Sequence, residues 1–145
     1  MMKINSKYIA VVLMMFSVSI FAKQKKFETD VKNMATNILS FCKTNNFAKA
    51  AEFIAYHGND KKRENTDHFN YAAREEKLKV NRICRKIKSL VLLSNSFEFE
   101  KVKIIKIKSV KHYSMKIKFK SGKQTIGIKF LFVNVKGKYL LSDID

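Results

Sequence analysis

Residues 102–145 read VKIIKIKSVKHYSMKIKFKSGKQTIGIKFLFVNVKGKYLLSDID, and this stretch decides the fold. Apolar and lysine residues alternate through much of it, as in MKIKFK at residues 115–120. Successive side chains of a strand point to opposite faces, so such a segment has one apolar face and one lysine face. Short breaks at residues 121–123 and 136–138 each contain a glycine and predict hairpin turns. The stretch therefore predicts a curved antiparallel sheet of about four strands.

Two adjacent apolar residues, Ile104 and Ile105, interrupt this alternation early in the stretch. A β-bulge at the pair would absorb the slip in phase and bend the strand. The interleaved lysines would then share one side of the sheet. The predicted members of this basic sheet face are Lys106, Lys108, Lys116, Lys118 and Lys120.

Helical patterns precede the strands. Apolar residues spaced by three and four predict a helix over residues 27–44, and a shorter one is predicted over residues 47–56. A polar loop at residues 57–67 leads to a long helix over about residues 68–93, whose apolar stripe weakens near Glu76. Helices grouped before an antiparallel sheet are typical of the α+β class. A bent sheet under such helices would leave a cleft, which is a common place for a ligand pocket.

The N-terminus has a different pattern from the rest of the chain. Within residues 1–22, two lysines precede an apolar run, and Ala22 offers a small residue for cleavage. Cleavage after Ser19 is an alternative, and an uncleaved anchor is another, although the run is shorter than the roughly 20 residues that span a bilayer. We expect a signal peptide at residues 1–22, a single α+β domain at residues 23–145, and an exported bacterial protein that is periplasmic or secreted.

The chain is strongly basic, with a formal net charge of +18. Lysine dominates, whereas specific readers of nucleic acid favour the bidentate arginine fork, and an exported protein rarely meets nucleic acid. We therefore predict no nucleic-acid partner. The charge indicates solubility, or weak contact with an anionic envelope surface.

The two cysteines, Cys42 and Cys84, lie on the apolar stripes of the first and the long helix. Export permits a disulfide, and an even count fits one bridge. Closing a loop of about 43 residues would stabilise the fold by about 4 kcal/mol in the chain-entropy account. The alternative is a pair of buried thiols that act as small apolar residues.

The sequence shows no catalytic or metal motif. His57, Asp60, Asp67 and His68 share one loop region, but no pair of them has the spacing of a zinc motif. No nucleophile elbow and no glycine-rich phosphate loop is found either. We predict no cofactor, no metal and no catalytic residue.

Three stretches, at residues 45–54 (NNFAKAAEFI), 129–135 (KFLFVNV) and 136–144 (KGKYLLSDI), carry a family resemblance. Together with the order of elements they resemble the nuclear transport factor 2-like superfamily. This is the cone-shaped, cystatin-like α+β fold that ketosteroid isomerase shares with many small exported bacterial proteins of unknown function. Tyr139 stands at the aromatic position of the final hairpin, where tryptophan is usual in that family.

The resemblance leaves function open, because this fold carries both enzymes and binding or accessory modules. The isomerase branch would require a deep carboxylate base and an oxyanion site of a tyrosine plus an acid. Tyr113 and Tyr139 are present, but neither makes such a set with an acid by spacing. We expect a non-enzymatic binding or accessory domain, with a small ligand or a protein partner in the cleft. The alternative is a small isomerase-like or hydrolase-like enzyme that uses the same cleft.

The same resemblance leads to an expectation about the oligomeric state. Members of the family often dimerise through the outer face of the sheet, which here would carry the predicted lysines. Like charges that face each other across a self-complementary interface are unfavourable. We therefore expect a monomer, or a dimer that avoids the lysine face.

Overall fold

The computed structural model describes residues 26–145, so the predicted signal peptide lies outside the described residues. Within them, α1 covers residues 26–43, and the other helices are α2 (Phe47–Ala51) and α3 (Arg74–Leu92). Five strands follow: β1 (Ser96–Phe99), β2 (Lys103–Ile107), β3 (Val110–Ser121), β4 (Gln124–Val135) and β5 (Lys138–Ile144). This order confirms the predicted α+β class. None of the helices described is long and apolar enough to cross a membrane.

The sheet is antiparallel throughout and has the order β1-β3-β4-β5, with β2 also pairing with β3. Both β1 and β2 lie along one edge of β3, and the register between them shifts by one residue within residues 100–102. The bulge predicted at Ile104 and Ile105 is wrong, because β2 pairs with β3 without interruption through both residues. A second irregularity lies in β5, where the register shifts beside Leu131 and Phe132 of β4.

The helices pack on one face of the sheet, which we call the inner face. The apolar stripe predicted for α1 is confirmed, since Val31, Ala35, Ile38 and Cys42 are fully buried. The α3 stripe meets them through Val80, Cys84 and Ile87. Alternate residues of the long strands complete this core, as the alternating pattern predicts: Tyr113, Met115, Ile117, Phe119, Phe130 and Phe132.

Two helices are shorter than the pattern predicts, because backbone pairing replaces helix. Beyond α2, the Ala55 N–H donates to the Leu141 carbonyl (2.7 Å), and the Leu141 N–H donates to the Phe53 carbonyl (2.8 Å). This segment therefore covers the free edge of β5. The Phe69 N–H then donates to the Ile54 carbonyl at 3.2 Å, so residues 68–73 are drawn out of the predicted long helix.

The loop before α3 is held by Arg63. Its Nε donates to Asp67 (2.9 Å), its Nη1 donates to Glu76 (2.8 Å), and its guanidinium stacks on the Tyr56 ring at 4.1 Å. Glu76 also accepts a hydrogen bond from the Asn70 N–H at 2.6 Å. The apolar stripe predicted for the long helix thus weakens at Glu76 because the carboxylate of this residue binds the preceding loop.

Candidate functional site

A concave pocket of about 940 Å³ lies between the described start of α1 and the inner face of the sheet. From α1 it is lined by Lys26, Phe27 and Asp30. The sheet side contributes four apolar or aromatic residues, Val102, Ile104, Tyr113 and Tyr139, together with Lys103, Lys111, Asn134 and Gly137. A concave, largely apolar pocket with few polar groups is the usual form of a small-molecule site.

Tyr113 is at the centre of the pocket wall. Its ring lies 4.8 Å from the Tyr139 ring in an edge-on contact and 5.6 Å from the Phe27 ring. The Lys111 ammonium nitrogen lies 5.3 Å from the centre of the same ring, which is within the range of a cation–π contact. Both tyrosines are more than nine-tenths buried, so their positions are fixed by packing.

The surroundings of Tyr139 favour the protonated form of its hydroxyl. Burial raises the pKa of Tyr139, and the neighbouring charge of Tyr113 and a hydrogen bond with it act in the same direction. The negative charge of Asp30 also raises this pKa, whereas a hydrogen bond with Asn134 lowers it. Asn134 accepts from the Gly137 N–H through Oδ1 at 3.0 Å, so its amide nitrogen is left for the tyrosine. The two tyrosine hydroxyls carry two protons, and the hydrogen bond between them uses one, so the other is left for an acceptor atom of a ligand.

Sequence reasoning missed this constellation. Asp30 is one of the acids near the start of α1, and nothing in its spacing links it to Tyr113 or Tyr139. The fold brings it into their pocket, because α1 lies across the inner face. The usable signal was that both tyrosines fall on the apolar side of their strands, facing the helices.

The predicted lysine face is divided by the structure. Lys116, Lys118 and Lys120 lie together on the outer face, away from the helices. Lys106 is in register with Lys111, and Lys111 shares the inner side of β3 with Tyr113. Lys108 occupies the turn between β2 and β3. Without a bulge at Ile104 and Ile105, the register gives Lys106 the opposite face from the one predicted.

Acidic side chains accompany the outer lysines. Glu100 pairs with Lys118 at 2.9 Å, and Glu98 pairs with Lys120. Lys129, the neighbour of Lys116 on β4, lies 3.7 Å from Asp145. This outer face, defined by Lys116, Lys118, Lys120 and Lys129, is therefore basic, although three of its four lysines form ion pairs with acidic groups.

Cys42 and Cys84 are brought together between α1 and α3 as two buried free thiols. A hydrogen bond with Cys84 raises the pKa of Cys42, and burial raises it further. The Cys42 thiol is therefore not a ready nucleophile, since the thiolate is the reactive form. The disulfide between them stays a prediction.

The polar side chains of the histidine-containing loop contact one another and the nearby backbone. His57 Nδ1 lies 3.0 Å from the Ala55 carbonyl, and His68 lies beside Asp67 at 3.3 Å. Asp60 accepts from the Lys62 N–H at 3.0 Å, and Asp67 is engaged by Arg63. Among residues 26–145 no group of three histidine, cysteine or acidic side chains could hold a metal ion.

Two comparisons with known proteins found no match: no protein-family model matches the chain, and no curated protein does. Similar solved structures include a multiply substituted form of the protein Rd1NTF2_05, at a TM-score of 0.46 and 13% identity over 83% of this chain and 97% of that one. A protein from Catenulispora acidiphila has a TM-score of 0.41 and 12% identity over 84% of this chain and 91% of its own. Neither match bears on what this chain binds.

The layout of the described residues is the one that the family resemblance implies. Helices come first and lie on the inner face of an antiparallel sheet of five strands, with an open pocket between the two layers. The chain is thus similar in fold to the nuclear transport factor 2-like proteins. Function has to be argued from the pocket, because this fold carries many functions.

Proposed function

We propose that this chain is a non-enzymatic binding domain that holds a small molecule in the pocket around Tyr113. The observation that supports it is the pocket itself, an open space of about 940 Å³ with an apolar wall and buried tyrosines. This volume lies within the roughly 300–1,000 Å³ that is usual for small-molecule sites. A protein segment that enters the pocket with an aromatic or apolar side chain is the related form of this proposal.

Export is part of the proposal. The pattern of residues 1–22 supports a cleaved signal peptide, and the domain would then act in the periplasm or outside the cell. Native mass spectrometry of protein matured by a bacterial host tests both parts in one spectrum. We expect cleavage after Ala22 or Ser19, and extra mass from a retained small molecule.

A matched pair of variants makes the test specific to the pocket. Ile104 and Ile107 lie on the same strand, and both are partly exposed, at 47% and 39%. Of these two isoleucines, Ile104 lines the pocket around Tyr113, whereas Ile107 lines a different pocket. Ile104→Trp should occupy the space and remove the retained mass, whereas Ile107→Trp should keep it. Retention in both variants would place the ligand elsewhere and contradict the proposal.

The enzymatic alternative has one observation in its favour, namely that Asp30 shares the pocket with Tyr113 and Tyr139. A carboxylate base and a tyrosine donor are two of the parts that an isomerase of this fold needs. Asp30→Asn separates the two functions. In a binding domain, this substitution should leave the retained molecule unchanged in structure and amount. In an enzyme, the variant should instead retain a substrate that the native protein converts. NMR of the released compound distinguishes the two outcomes.

A further inference from the structure

Strand β2 has a free edge. It pairs with β3 on one side, and among residues 26–145 no strand and no backbone hydrogen bond occupies its other side. The turn between β2 and β3 is two residues long, so Ile107 and Val110 form the hydrogen-bonded pair that closes it. Hydrogen-bonded and non-bonded pairs alternate along an antiparallel ladder, so Ile104 and Lys106 direct their backbone N–H and C=O groups to the free edge. An edge of this kind can accept a strand from another chain.

A pair of like charges lies at this edge. Lys106 is directly opposite Lys111, and both side chains are on the inner side of the sheet. Lysines that face each other across a sheet repel. Neither ammonium group is in an ion pair with a described residue, whereas in the pair of Lys116 and Lys129 the second lysine has Asp145 at 3.7 Å. An acidic side chain beside Lys106 would therefore offset a repulsion that the rest of the described chain leaves unbalanced.

A partly exposed isoleucine and a pocket lie on each side of the same edge. Ile104 is on the inner side, where it lines the pocket around Tyr113. Ile107 is on the outer side and lines a second pocket, of about 580 Å³, which the loop at residues 57–65 also borders. Successive side chains of a strand point to opposite faces, so an added strand would present side chains to both pockets.

We propose that β2 binds an extended, acidic segment of a partner protein as an added strand, antiparallel like the other pairs of this sheet. The partner residue opposite Lys106 is acidic, and those opposite Ile104 and Ile107 are apolar and enter the two pockets. In this mode of recognition the backbone gives affinity and the side chains give specificity. The inference rests on the proposed function for its inner half, because it names a partner segment that reaches the pocket around Tyr113.

A second copy of this chain is disfavoured at the edge. Residues 101–111 contain five lysines and no acid, so pairing two such strands would add to the repulsion. Lysines on an edge strand commonly protect a protein against such self-pairing. The same charges favour an acidic partner strand.

Fluorescence anisotropy of a labelled, capped peptide with the core Ile-Glu-Val-Phe tests the inference on the mature protein. In antiparallel register these four residues lie opposite Ile107, Lys106, Ile105 and Ile104 in turn. We expect the peptide to bind about five- to tenfold more tightly than the same peptide with lysine in place of glutamate, since exposed charge pairs are screened by solvent. Added salt should reduce this preference, because exposed charges are screened within about 8 Å at physiological ionic strength. Equal binding of the two peptides would overturn the acidic partner.

Methylation of single peptide nitrogens distinguishes strand addition from binding through side chains alone. The glutamate of the peptide lies opposite Lys106, so its N–H faces β2, whereas the N–H of the following valine faces solvent. N-methylation of the glutamate should weaken binding by about tenfold or more, because a backbone hydrogen bond is lost and the methyl group meets the strand. N-methylation of the valine should change the affinity by less than about twofold. Equal effects of the two methyl groups would overturn the added strand.

A charge reversal in the protein locates the site. Lys106→Glu should reverse the preference, so that the lysine peptide binds more tightly than the glutamate peptide. Lys123→Glu makes the same change of charge in the exposed turn between β3 and β4, and it should leave the preference for glutamate in place. An unreversed preference in the first variant, or a reversal in the second, would overturn the assignment to β2.

The remaining outcomes separate this inference from the proposed function. Failure of the glutamate peptide to bind at about 1 mM would overturn the inference. The binding domain is judged separately, by the mass retained in the native spectrum, because a small molecule in the pocket needs no free strand edge. A dimeric mass in light scattering that the peptide converts to the mass of one chain would place a second copy on β2, and would also overturn the inference.

Discussion

Glu76 connects the first turn of α3 to the loop before it, through Arg63 and the Asn70 N–H. Burial opposes its ionisation, but hydrogen bonds from Arg63 and from the Asn70 N–H outweigh burial and lower the pKa of Glu76 below its ordinary value of 4.5. A carboxylate with a lowered pKa in the folded state stabilises the fold above its unfolded pKa. That stabilisation is lost as the pH falls through the folded value.

Glu76→Gln should therefore lower the free energy of unfolding by about 1–2 kcal/mol at neutral pH, because Arg63 loses a charged partner that is largely buried. Urea denaturation at a series of pH values checks this, and the decline in stability below about pH 4.5 should be shallower in the variant. Glu64→Gln is the control, since its pair with Lys61 is exposed and the change should stay within about 0.5 kcal/mol. Equal losses in the two variants would show that the network does not hold the loop.

The residues of the pocket show which contacts a local sequence pattern does not predict. Tyr113 continues the alternation of Met115, Ile117 and Phe119 and lies with them on the inner face, and Tyr139 packs beside it. Nothing local connects these tyrosines to Asp30 or to Lys111, because the connection depends on how α1 crosses the sheet. The face predicted for Lys106 is wrong, because the adjacent Ile104 and Ile105 give the same sequence pattern whether or not the strand has a bulge there.

At the scale of elements, the contact between α1 and α3 is where the two cysteines meet. Cys42 and Cys84 are both fully buried and are hydrogen-bonding neighbours. Because this contact and burial raise the pKa of Cys42, its thiol should react slowly in the folded protein, so we expect a bridge to form during export and folding.

In protein matured by an oxidising host, the unfolded chain should accordingly show no free thiol in a colorimetric thiol assay. Reduction should then lower the free energy of unfolding by about 4 kcal/mol in the chain-entropy account. The double variant Cys42→Ala with Cys84→Ala is the control, and its stability should not respond to the reductant. Free thiols in the exported, unfolded chain would exclude the bridge.

Strands and helices were predictable to the extent that their signals are local. The hairpins at residues 121–123 and 136–138 carry glycines at positive φ, and the structure has both turns. The turn at Lys108 and Ser109 has positive φ at both residues, 46° and 68°, without the asparagine or glycine that usually marks it. β1 was missed because its four residues are too few for an alternating pattern.

The whole molecule has an outer face with two unlike halves. At one end Ala55 packs on Val133 and Leu140, and the loop around His57 and Glu64 borders it. At the other end lies the basic half, formed by the lysines Lys116, Lys118, Lys120 and Lys129. Stable interfaces between identical chains need an apolar, self-complementary surface, and neither half supplies one.

We therefore expect a monomer in solution, or a dimer that uses another surface. A back-to-back dimer of sheets would oppose the lysines of two chains, and Glu98 and Glu100 are already engaged by lysines of their own chain. Light scattering at several protein concentrations should give the mass of one chain. In Lys116→Cys, an exposed thiol replaces the lysine at the centre of this face, and mild oxidation should yield little covalent dimer. Rapid and complete crosslinking of that variant, with a dimeric mass for the native protein, would show that the sheets pair despite their charge.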